Sequence, residues 1–364
     1  NHDVKAIEYF IKAKLDALGL ESIKEWVHFG LTSQDVNNSA FPLMIREAYQ
    51  SHLLPTLRET RDTILHFARE SSHLPMLAYT HGQPASPTIL GKEIMVFVER
   101  LDAQIVQLET VELKVKFGGA TGNFNAHVVA FPKVDWVAWA DHFTTQYLGI
   151  QRYRYTTQIE HYDQLAALCH ATMRINTILL DFCRDVWTYI SMNYLSQKAN
   201  PNEVGSSAMP HKVNPIDFEN AEGNLGYANA IFGHLADKLP ISRLQRDLTD
   251  STVLRNIGVP VAHTYLALHS ILKGLKKISP NQVKLQQDLD ANWSVLAEAI
   301  QTILRREGVA KPYELLKDLT RGKEQINREH LHAFIDGLAV RDVVKEEMRG
   351  LRPDTYIGRI NSFK

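Results

Sequence analysis

The stretch EHYDQLAALCHATMRINTILLDFCRDVWTYISMNYLSQK, residues 160–198, lies in a proline-free part of the chain and carries an apolar stripe. The stripe has the period of one helix face and consists of Leu168, Ile175, Leu179, Phe182, Val186 and Tyr189. The pattern predicts a single helix from about Glu160 to Lys198. Helices in globular proteins average roughly 11–12 residues, so this stretch indicates a fold built from unusually long helices.

Three further segments show the same period. The apolar residues of the first end before Gly118 and are Ile94, Val98, Leu101, Ile105, Leu108 and Val115. The other two helices are predicted over residues 216–239 and 259–277. Alternating strand patterns are nearly absent, and long helices with such stripes pack side by side at shallow angles. The sequence therefore predicts an all-α fold centred on a bundle of long helices.

Both ends of the chain differ from this central part. From Ser279 onward the helical segments are shorter and are broken by glycines and prolines. Near the start, Thr32 and Asp35 have the spacing of a capping box, which marks the beginning of a helix. We expect three domains: a helical part over residues 1–31, a central bundle over 32–278 and a small helical domain over 279–364.

The composition excludes several classes of partner. Forty Lys and Arg residues against 41 Asp and Glu give a net charge of -1, which provides no bulk attraction to nucleic acid or membranes. Cys169 and Cys183 lie in one predicted helix, roughly 21 Å apart, beyond the reach of a disulfide. Free thiols, with no apolar run long enough to span a membrane, lead us to expect a cytoplasmic protein.

The stretch GSSAMPHKVNP, residues 205–215, does not fit a packing role. Its polar groups come from Ser206, Ser207, Lys212 and Asn214. Pro215 could open the next helix, whose free N–H groups and dipole would favour a nearby anion. The alternative is a polar linker whose serines cap helices.

The stretch YTHGQPASP, residues 79–87, places His81 before Gly82 and two prolines. This composition predicts a rigid, irregular turn. A histidine held there suits proton transfer, because its unperturbed pKa lies near neutrality. The alternative is an ordinary loop whose histidine bonds a backbone carbonyl.

Two more segments carry candidate binding groups. In SRLQRDLTDSTVLRN, residues 242–256, three arginines accompany two hydroxyls, a set suited to a phosphate or carboxylate: Arg243, Arg246, Arg255, Ser251 and Thr252. The alternative is a solvated helix face on which Asp247 and Asp250 pair with the arginines. In NHDVKA, His2 and Asp3 could bind a ligand or simply cap a helix.

Several familiar motifs are missing from the sequence. It has no HExxH, paired CxxC or EF-hand spacing for metals, and no GxGxxG, Walker loop or GxSxG. These absences argue against metalloenzyme, kinase and serine-hydrolase chemistry.

Taken together, TSQD, THGQPASP and GSSAMPHKVNP resemble the three separated signature regions of the fumarase/aspartase superfamily. The histidine of MPHK, with QRDLTDSTVLRN, TTQIE and NHDVKA, is similar to the bacterial adenylosuccinate lyase family, and the resemblance covers essentially the whole chain. It implies a long helical bundle flanked by two smaller domains. It also implies a homotetramer with active sites shared between subunits, and no metal or organic cofactor.

The resemblance further implies the reaction and the residues that perform it. The family eliminates fumarate from adenylosuccinate, giving AMP, and from SAICAR, giving AICAR, in purine nucleotide biosynthesis. Ser206 matches the base and His81 the acid. The substrate contacts implied are His2, Asp3, His28, Thr32, Ser33, Gln158, Ser207, Lys212, Asn214, Asn220, Arg246, Ser251, Thr252 and Arg255. The family has residues before NHD, so we expect Asn1 not to be the native start and residues 1–31 to be the remnant of a larger domain.

Two alternatives stay open. One is a sibling lyase, such as an argininosuccinate lyase or a carboxymuconate cycloisomerase type, although the arginines of residues 242–256 favour a nucleotide. The other is a non-catalytic helical scaffold, against which the intact His81, Ser206, Lys212 and Asn214 argue.

Overall fold

The computed structural model describes residues 2–198, 209, 212–320 and 326–360. Over these residues the chain forms fifteen α-helices and four short strands. The helices are α1 Asp3–Ala17, α2 Ser33–Ala48, α3 Leu54–Glu70, α4 Leu90–Glu109, α5 Asn125–Ala130, α6 Trp136–His142, α7 Asp163–Ser191, α8 Ile216–Lys238, α9 Thr249–Leu254, α10 Gly258–Leu275, α11 Gln282–Ala291, α12 Ala297–Arg306, α13 Pro312–Thr320, α14 Arg328–Asp336 and α15 Asp342–Arg349. The strands are β1 Pro75–Thr80, β2 Gln83–Ile89, β3 Leu195–Gln197 and β4 Ile278–Pro280.

The predicted all-α class is confirmed. The strands form only two antiparallel pairs, β1 with β2 and β3 with β4. Helices α8 and α10 begin and end close to their predicted bounds. None of the described helices is long and apolar enough to cross a membrane.

The predicted end of α7 at Lys198 is wrong, because the helix stops at Ser191. Asn193 adopts a left-handed φ of 60°, which turns the chain out of the helix. The next residues then form β3, which pairs with β4. Cys169 and Cys183 are both buried within α7 and neither forms a disulfide, as the sequence predicted.

The predicted end of α4 is also wrong, because the helix stops at Glu109. The Thr110 hydroxyl donates a hydrogen bond to the Gln107 carbonyl at 2.7 Å. A threonine side chain that bonds the backbone in this way competes with continuation of the helix. Val115, which continued the apolar stripe, lies instead in extended backbone paired with Arg152.

The described residues group into two compact units, each assembled from three stretches of chain. Unit 1 comprises residues 1–59, 102–180 and 221–269, and unit 2 comprises residues 60–101, 181–220 and 270–364. The long helices α3, α4, α7, α8 and α10 each contribute to both units. The three-domain division at residues 31 and 278 stays a prediction.

The short helices of the C-terminal part of unit 2 bury an apolar cluster of their own. Its fully or nearly fully buried members include Leu296, Ile300, Leu304, Ile335 and Met348. Proline stands at the first position of α13, where its missing N–H leaves no hydrogen bond unmade. The predicted change to shorter helical segments after Ser279 is confirmed.

Candidate active site

Arg246 is the centre of a polar cluster in unit 1. Its guanidinium donates to the Ser251 hydroxyl at 2.5 Å and to the Asp250 carboxylate at 3.3 Å. A third nitrogen lies 3.5 Å from the Gln158 side-chain oxygen. The cluster thus brings together three predicted substrate-binding residues, Gln158, Arg246 and Ser251. The pair between Arg246 and Asp250, which the alternative interpretation of a solvated helix face predicted, is present as well.

The segment before α9 is fixed by short-range hydrogen bonds. The Asp247 carboxylate accepts from the hydroxyl of Thr249 and from its backbone N–H, the latter at 2.9 Å. These bonds to Thr249 lower the pKa of Asp247. The Ser242 hydroxyl accepts from the Asp247 N–H at 3.1 Å. Arg243 pairs with Asp247 at 3.2 Å while remaining 80% exposed, so only Arg246 is turned into the cluster.

A cavity of about 220 Å³ lies beside this cluster. It is lined by Asp3, Gln34, Asn37, Phe41, Asp250, Ser251, Leu254 and Arg255. The Arg255 guanidinium donates to Asp3 at 3.1 Å. The N–H of Val4, and to a lesser extent Arg255, lower the pKa of Asp3. Three predicted substrate residues from distant parts of the chain therefore share one cavity, whereas the exposed Thr252 does not line it.

His2 caps α1 rather than lining the cavity. Its ring nitrogen Nδ1 accepts a hydrogen bond from the Lys5 N–H at 3.3 Å. The cap interpretation of the NHD stretch is therefore correct for His2 in this structure, while Asp3 beside it reaches Arg255.

The TSQD stretch forms the capping box that its spacing predicted. The Thr32 hydroxyl accepts from the Gln34 N–H at 3.3 Å, and the Asp35 carboxylate accepts from the Thr32 N–H at 2.7 Å. Ser33, the first residue of α2, is partly exposed, as is His28 upstream, which has a left-handed φ of 66°.

Asp35 also anchors the glycine-rich stretch that follows α4. One carboxylate oxygen accepts from the fully buried Lys116 ammonium at 2.8 Å and from the N–H groups of Gly118 and Gly119 at 2.8 and 3.1 Å. Burial lowers the pKa of Lys116, and the Asp35 charge opposes that shift. The Lys116 ammonium also donates to the Gly119 carbonyl at 2.5 Å, and such additional hydrogen bonds are what a buried ion pair requires. It ties the start of α2 to residues 116–119.

The same glycine-rich stretch approaches Gln158. The Gln158 amide donates to the Ala120 carbonyl at 3.3 Å. Gly122 has a φ of 78°, and a Cβ there would lie 2.6 Å from the Thr156 carbonyl oxygen. Only glycine satisfies both conditions, so Gly122 lets the glycine-rich stretch approach the backbone of Thr156, two residues before Gln158.

His81 stands at the tip of the β1–β2 hairpin in unit 2. His81 and Gly82 form a two-residue connection in which both φ values are positive, 54° and 71°. This is the turn type that matches the twist of antiparallel strands. The turn is regular, so the prediction of an irregular turn is wrong. His81 is nevertheless exposed and held on a defined backbone.

The other predicted site residues of unit 2 lie at the start of α8. The exposed Lys212 donates its N–H to the Met209 carbonyl at 3.0 Å, and Asn214 is partly buried. The Pro215 carbonyl accepts from Glu219, so Pro215 caps α8. Asn220 donates to the Ser270 hydroxyl at 2.9 Å. Ser206 and Ser207 lie outside the described residues.

Glu160 is a buried acid that the sequence analysis did not single out. It is 4% exposed, and its carboxylate accepts from the Tyr162 N–H at 3.3 Å. Burial raises the pKa of Glu160 from 4.5 to about 8. Glu160 ends the TTQIE stretch, but no role was predicted for it, because an acidic residue before a helix is usually a solvated helix start.

This raised pKa predicts a pH-dependent stability. Between pH 4.5 and about 8 the folded chain holds a proton on Glu160 that the unfolded chain has lost. The folded state therefore loses stability as pH rises through that window, by about 2 kcal/mol or more in total. Glu160→Gln replaces the titrating carboxyl group by a neutral amide, so the loss of stability with rising pH disappears. We expect its melting temperature to exceed that of the wild type at pH 8.5 and the difference to shrink at pH 5. A difference that does not depend on pH would contradict the buried, protonated carboxyl.

Comparisons with known proteins agree with this fold. The 3-carboxy-cis,cis-muconate lactonizing enzyme from Pseudomonas putida has the same fold, with a TM-score of 0.77 at 21% identity, over 98% of this chain and 78% of that one. Residues 1–233 match the family described as Lyase, and residues 242–357 match the family described as Adenylosuccinate lyase C-terminal. The fold and the matched residues thus define an all-α lyase.

Curated relatives identify the family within this class. The adenylosuccinate lyase of Dictyostelium discoideum is 56% identical over 100% of this chain and 79% of the relative. Those of Vibrio cholerae and Escherichia coli are 52% and 51% identical, over 98% and 99% of this chain and 78% of each relative. The chain belongs to the adenylosuccinate lyase family.

Proposed function

We propose that the protein eliminates fumarate from adenylosuccinate to give AMP, and from SAICAR to give AICAR. The observation that carries this proposal is the 51–56% identity to curated adenylosuccinate lyases over almost the whole chain. The Arg246 cluster supports a phosphorylated substrate, because a guanidinium with an adjacent hydroxyl and a second arginine suits a phosphate or carboxylate.

The reaction requires a base, an acid and a set of cations. The base removes a proton from the succinyl carbon next to the one that carries nitrogen. The electron pair left behind becomes the double bond of fumarate as the carbon–nitrogen bond breaks, and the acid protonates the departing nitrogen. Negative charge on the succinyl group rises before the bond breaks, so donors arranged around its carboxylates lower the barrier.

Ser206 is the proposed base and His81 the proposed acid. A serine hydroxyl is a weak acid in water, so its use as a base requires an environment that stabilises the alkoxide. The ammonium group of Lys212 and the dipole at the start of α8 are proposed to supply this environment. Asn214 and Ser207 are proposed to bind the succinyl carboxylates. The exposed position of His81 at a hairpin tip is compatible with a substrate lying against it.

The remaining proposed contacts divide by unit. In unit 1, Arg246, Ser251 and Arg255 are proposed to bind the phosphate or carboxylates, and His2, Asp3, His28, Thr32, Ser33, Gln158 and Thr252 are proposed to line the substrate. In unit 2, Asn220 joins this set. We further propose a homotetramer in which each active site takes its three signature regions from three subunits.

A substrate comparison tests the proposed reaction against its sibling. The purified protein is incubated separately with adenylosuccinate and with argininosuccinate, and products are separated by chromatography. We expect AMP from the first and no arginine from the second. Arginine as the main product would assign the chain to the argininosuccinate lyase reaction, and the absence of either product from the folded protein would favour the carboxymuconate cycloisomerase type or the scaffold alternative.

Mixing two inactive variants tests the shared site. If Ser206 and His81 of one site come from different subunits, tetramers reassembled from equal amounts of Ser206→Ala and His81→Gln chains contain some sites with both native residues. Random assembly predicts recovery of about a quarter of the wild-type activity. Each variant reassembled alone is the control. Hybrid tetramers that stay as inactive as the controls would reject the shared arrangement.

A further inference from the structure

The buried side chains Asn38, Tyr162 and Asp250 form a continuous chain of hydrogen bonds behind Arg246. The Asn38 amide donates to the Tyr162 hydroxyl at 2.8 Å, and that hydroxyl donates to the Asp250 carboxylate at 3.1 Å. The other Asp250 oxygen accepts from Arg246 at 3.3 Å. Asn38 is 0%, Tyr162 1% and Asp250 2% exposed. None of the three belongs to the proposed substrate-binding residues.

Each group in this chain has its orientation fixed. The Asn38 side-chain oxygen accepts from the Glu160 N–H at 3.1 Å, which leaves its NH₂ facing Tyr162. Tyr162 therefore receives one hydrogen bond and has a single proton to give. Burial and the charge of Asp250 raise the pKa of Tyr162, so the hydroxyl stays a donor at neutral pH. The donor and the acceptor of each hydrogen bond between Asn38 and Asp250 are therefore fixed.

This arrangement holds the Asp250 carboxylate at both oxygens. A carboxylate held by one donor can rotate, and a guanidinium paired to it can move with it. With Tyr162 bound to one oxygen, the other stays directed at the Arg246 Nε. The remaining guanidinium nitrogens then face Ser251 and Gln158. Orientation of the guanidinium is thus set before any ligand arrives.

We infer that Tyr162 is a positioning residue, which acts through Asp250 to hold Arg246 in the orientation that binds the anionic substrate. The inference rests on the proposed function, because Arg246 is proposed there as a contact to the phosphate or carboxylates. Tyr162 itself is not proposed to contact the substrate. Its loss therefore weakens substrate binding and leaves the chemical step nearly unchanged.

The test compares Tyr162→Phe with a matched variant, Tyr153→Phe. Tyr153 also has a buried hydroxyl, but that hydroxyl has no hydrogen-bond partner among the described residues. A hydrogen bond to a charged group contributes enough to change affinity by about tenfold. We expect Tyr162→Phe to raise KM for adenylosuccinate about tenfold with kcat within about twofold of the wild type. Tyr153→Phe should keep both constants.

A double-variant cycle shows whether Tyr162 acts through Arg246. Arg246→Gln removes the group that Tyr162 is inferred to orient, so adding Tyr162→Phe to it should change KM by less than about twofold. An undiminished effect of Tyr162→Phe in that background, or a wild-type KM for Tyr162→Phe alone, would overturn the inference. If Tyr162→Phe does not fold, Asp250→Asn replaces it, since an amide offers an acceptor at only one of the two positions where the Asp250 oxygens bind Tyr162 and Arg246. It should raise KM in the same way, and an unchanged KM would overturn the inference.

Different results would reject the proposed function and the positioning role of Tyr162. No turnover of adenylosuccinate by the folded wild-type protein rejects the proposed function. Normal wild-type turnover with kinetic constants that do not respond to Tyr162 rejects only the positioning role.

Discussion

Replacing Ser206 by alanine is expected to abolish turnover of adenylosuccinate while substrate binding survives. The methyl group cannot accept the proton from the succinyl carbon, so the step that starts the elimination is lost. A general base contributes about 10²–10⁴-fold, so we expect kcat to fall by a factor near the upper end of that range. Absorbance assays give kcat, and calorimetric titration gives the dissociation constant of the variant.

Ser207→Ala is the matched control for this variant. It removes a neighbouring hydroxyl from the same stretch of chain without removing the proposed base. We expect a raised KM with much of the wild-type kcat retained. Comparable kcat values for wild type and Ser206→Ala would reject Ser206 as the base.

Replacing His81 by glutamine is expected to give the second large effect. Glutamine cannot donate a proton to the departing nitrogen at neutral pH, so kcat should fall by about 10²–10⁴-fold. His81 has a φ of 54°, a conformation that costs most side chains energy. A melting curve must therefore accompany the assay to show that the hairpin is intact.

His81→Asn separates the chemistry from the backbone. Asparagine adopts the left-handed region more readily than glutamine, so it keeps the hairpin turn while lacking the acid. We expect the same loss of kcat as for glutamine. If both variants raise KM and leave kcat unchanged, His81 binds substrate and another group donates the proton.

The long helices could be predicted because local apolar spacing controls them. The stripe of residues 160–198 led to α7, and those of 216–239 and 259–277 led to α8 and α10. Helix ends were less predictable. The stripe through α4 continued to Val115, but a single side-chain hydrogen bond at Thr110 and pairing with Arg152 ended the helix earlier.

Parts of the site could not be predicted from local sequence. The hairpin that carries His81 depends on pairing between β1 and β2, two strands that together contain three prolines and look unfit for a sheet. Lys116 looks like a surface lysine in sequence, yet it is fully buried because Asp35, far away in the chain, accepts from it. Such pairs are visible only in three dimensions.

The Arg246 cluster contains residues that could be selected from the sequence and residues that could not. Its arginines and hydroxyls could be selected from one short segment, because their residue types suit an anion. The side chains that hold Arg246 come from α2 and from the residue before α7, and Asn38 and Tyr162 carry no local sign of that role. Sequence identifies the groups with suitable chemistry, and the fold decides which of them are oriented.

Proton NMR of a reaction mixture with adenylosuccinate tests the central claim most directly, because it identifies every product at once. Elimination predicts AMP and fumarate in equal amounts, with the olefinic signal of fumarate rising as the succinyl signals disappear. Hydrolysis at the purine carbon would instead give IMP and aspartate. Equal amounts of AMP and fumarate support the carbon–nitrogen lyase, whereas IMP with aspartate, or an unchanged substrate in the presence of the folded protein, would contradict it.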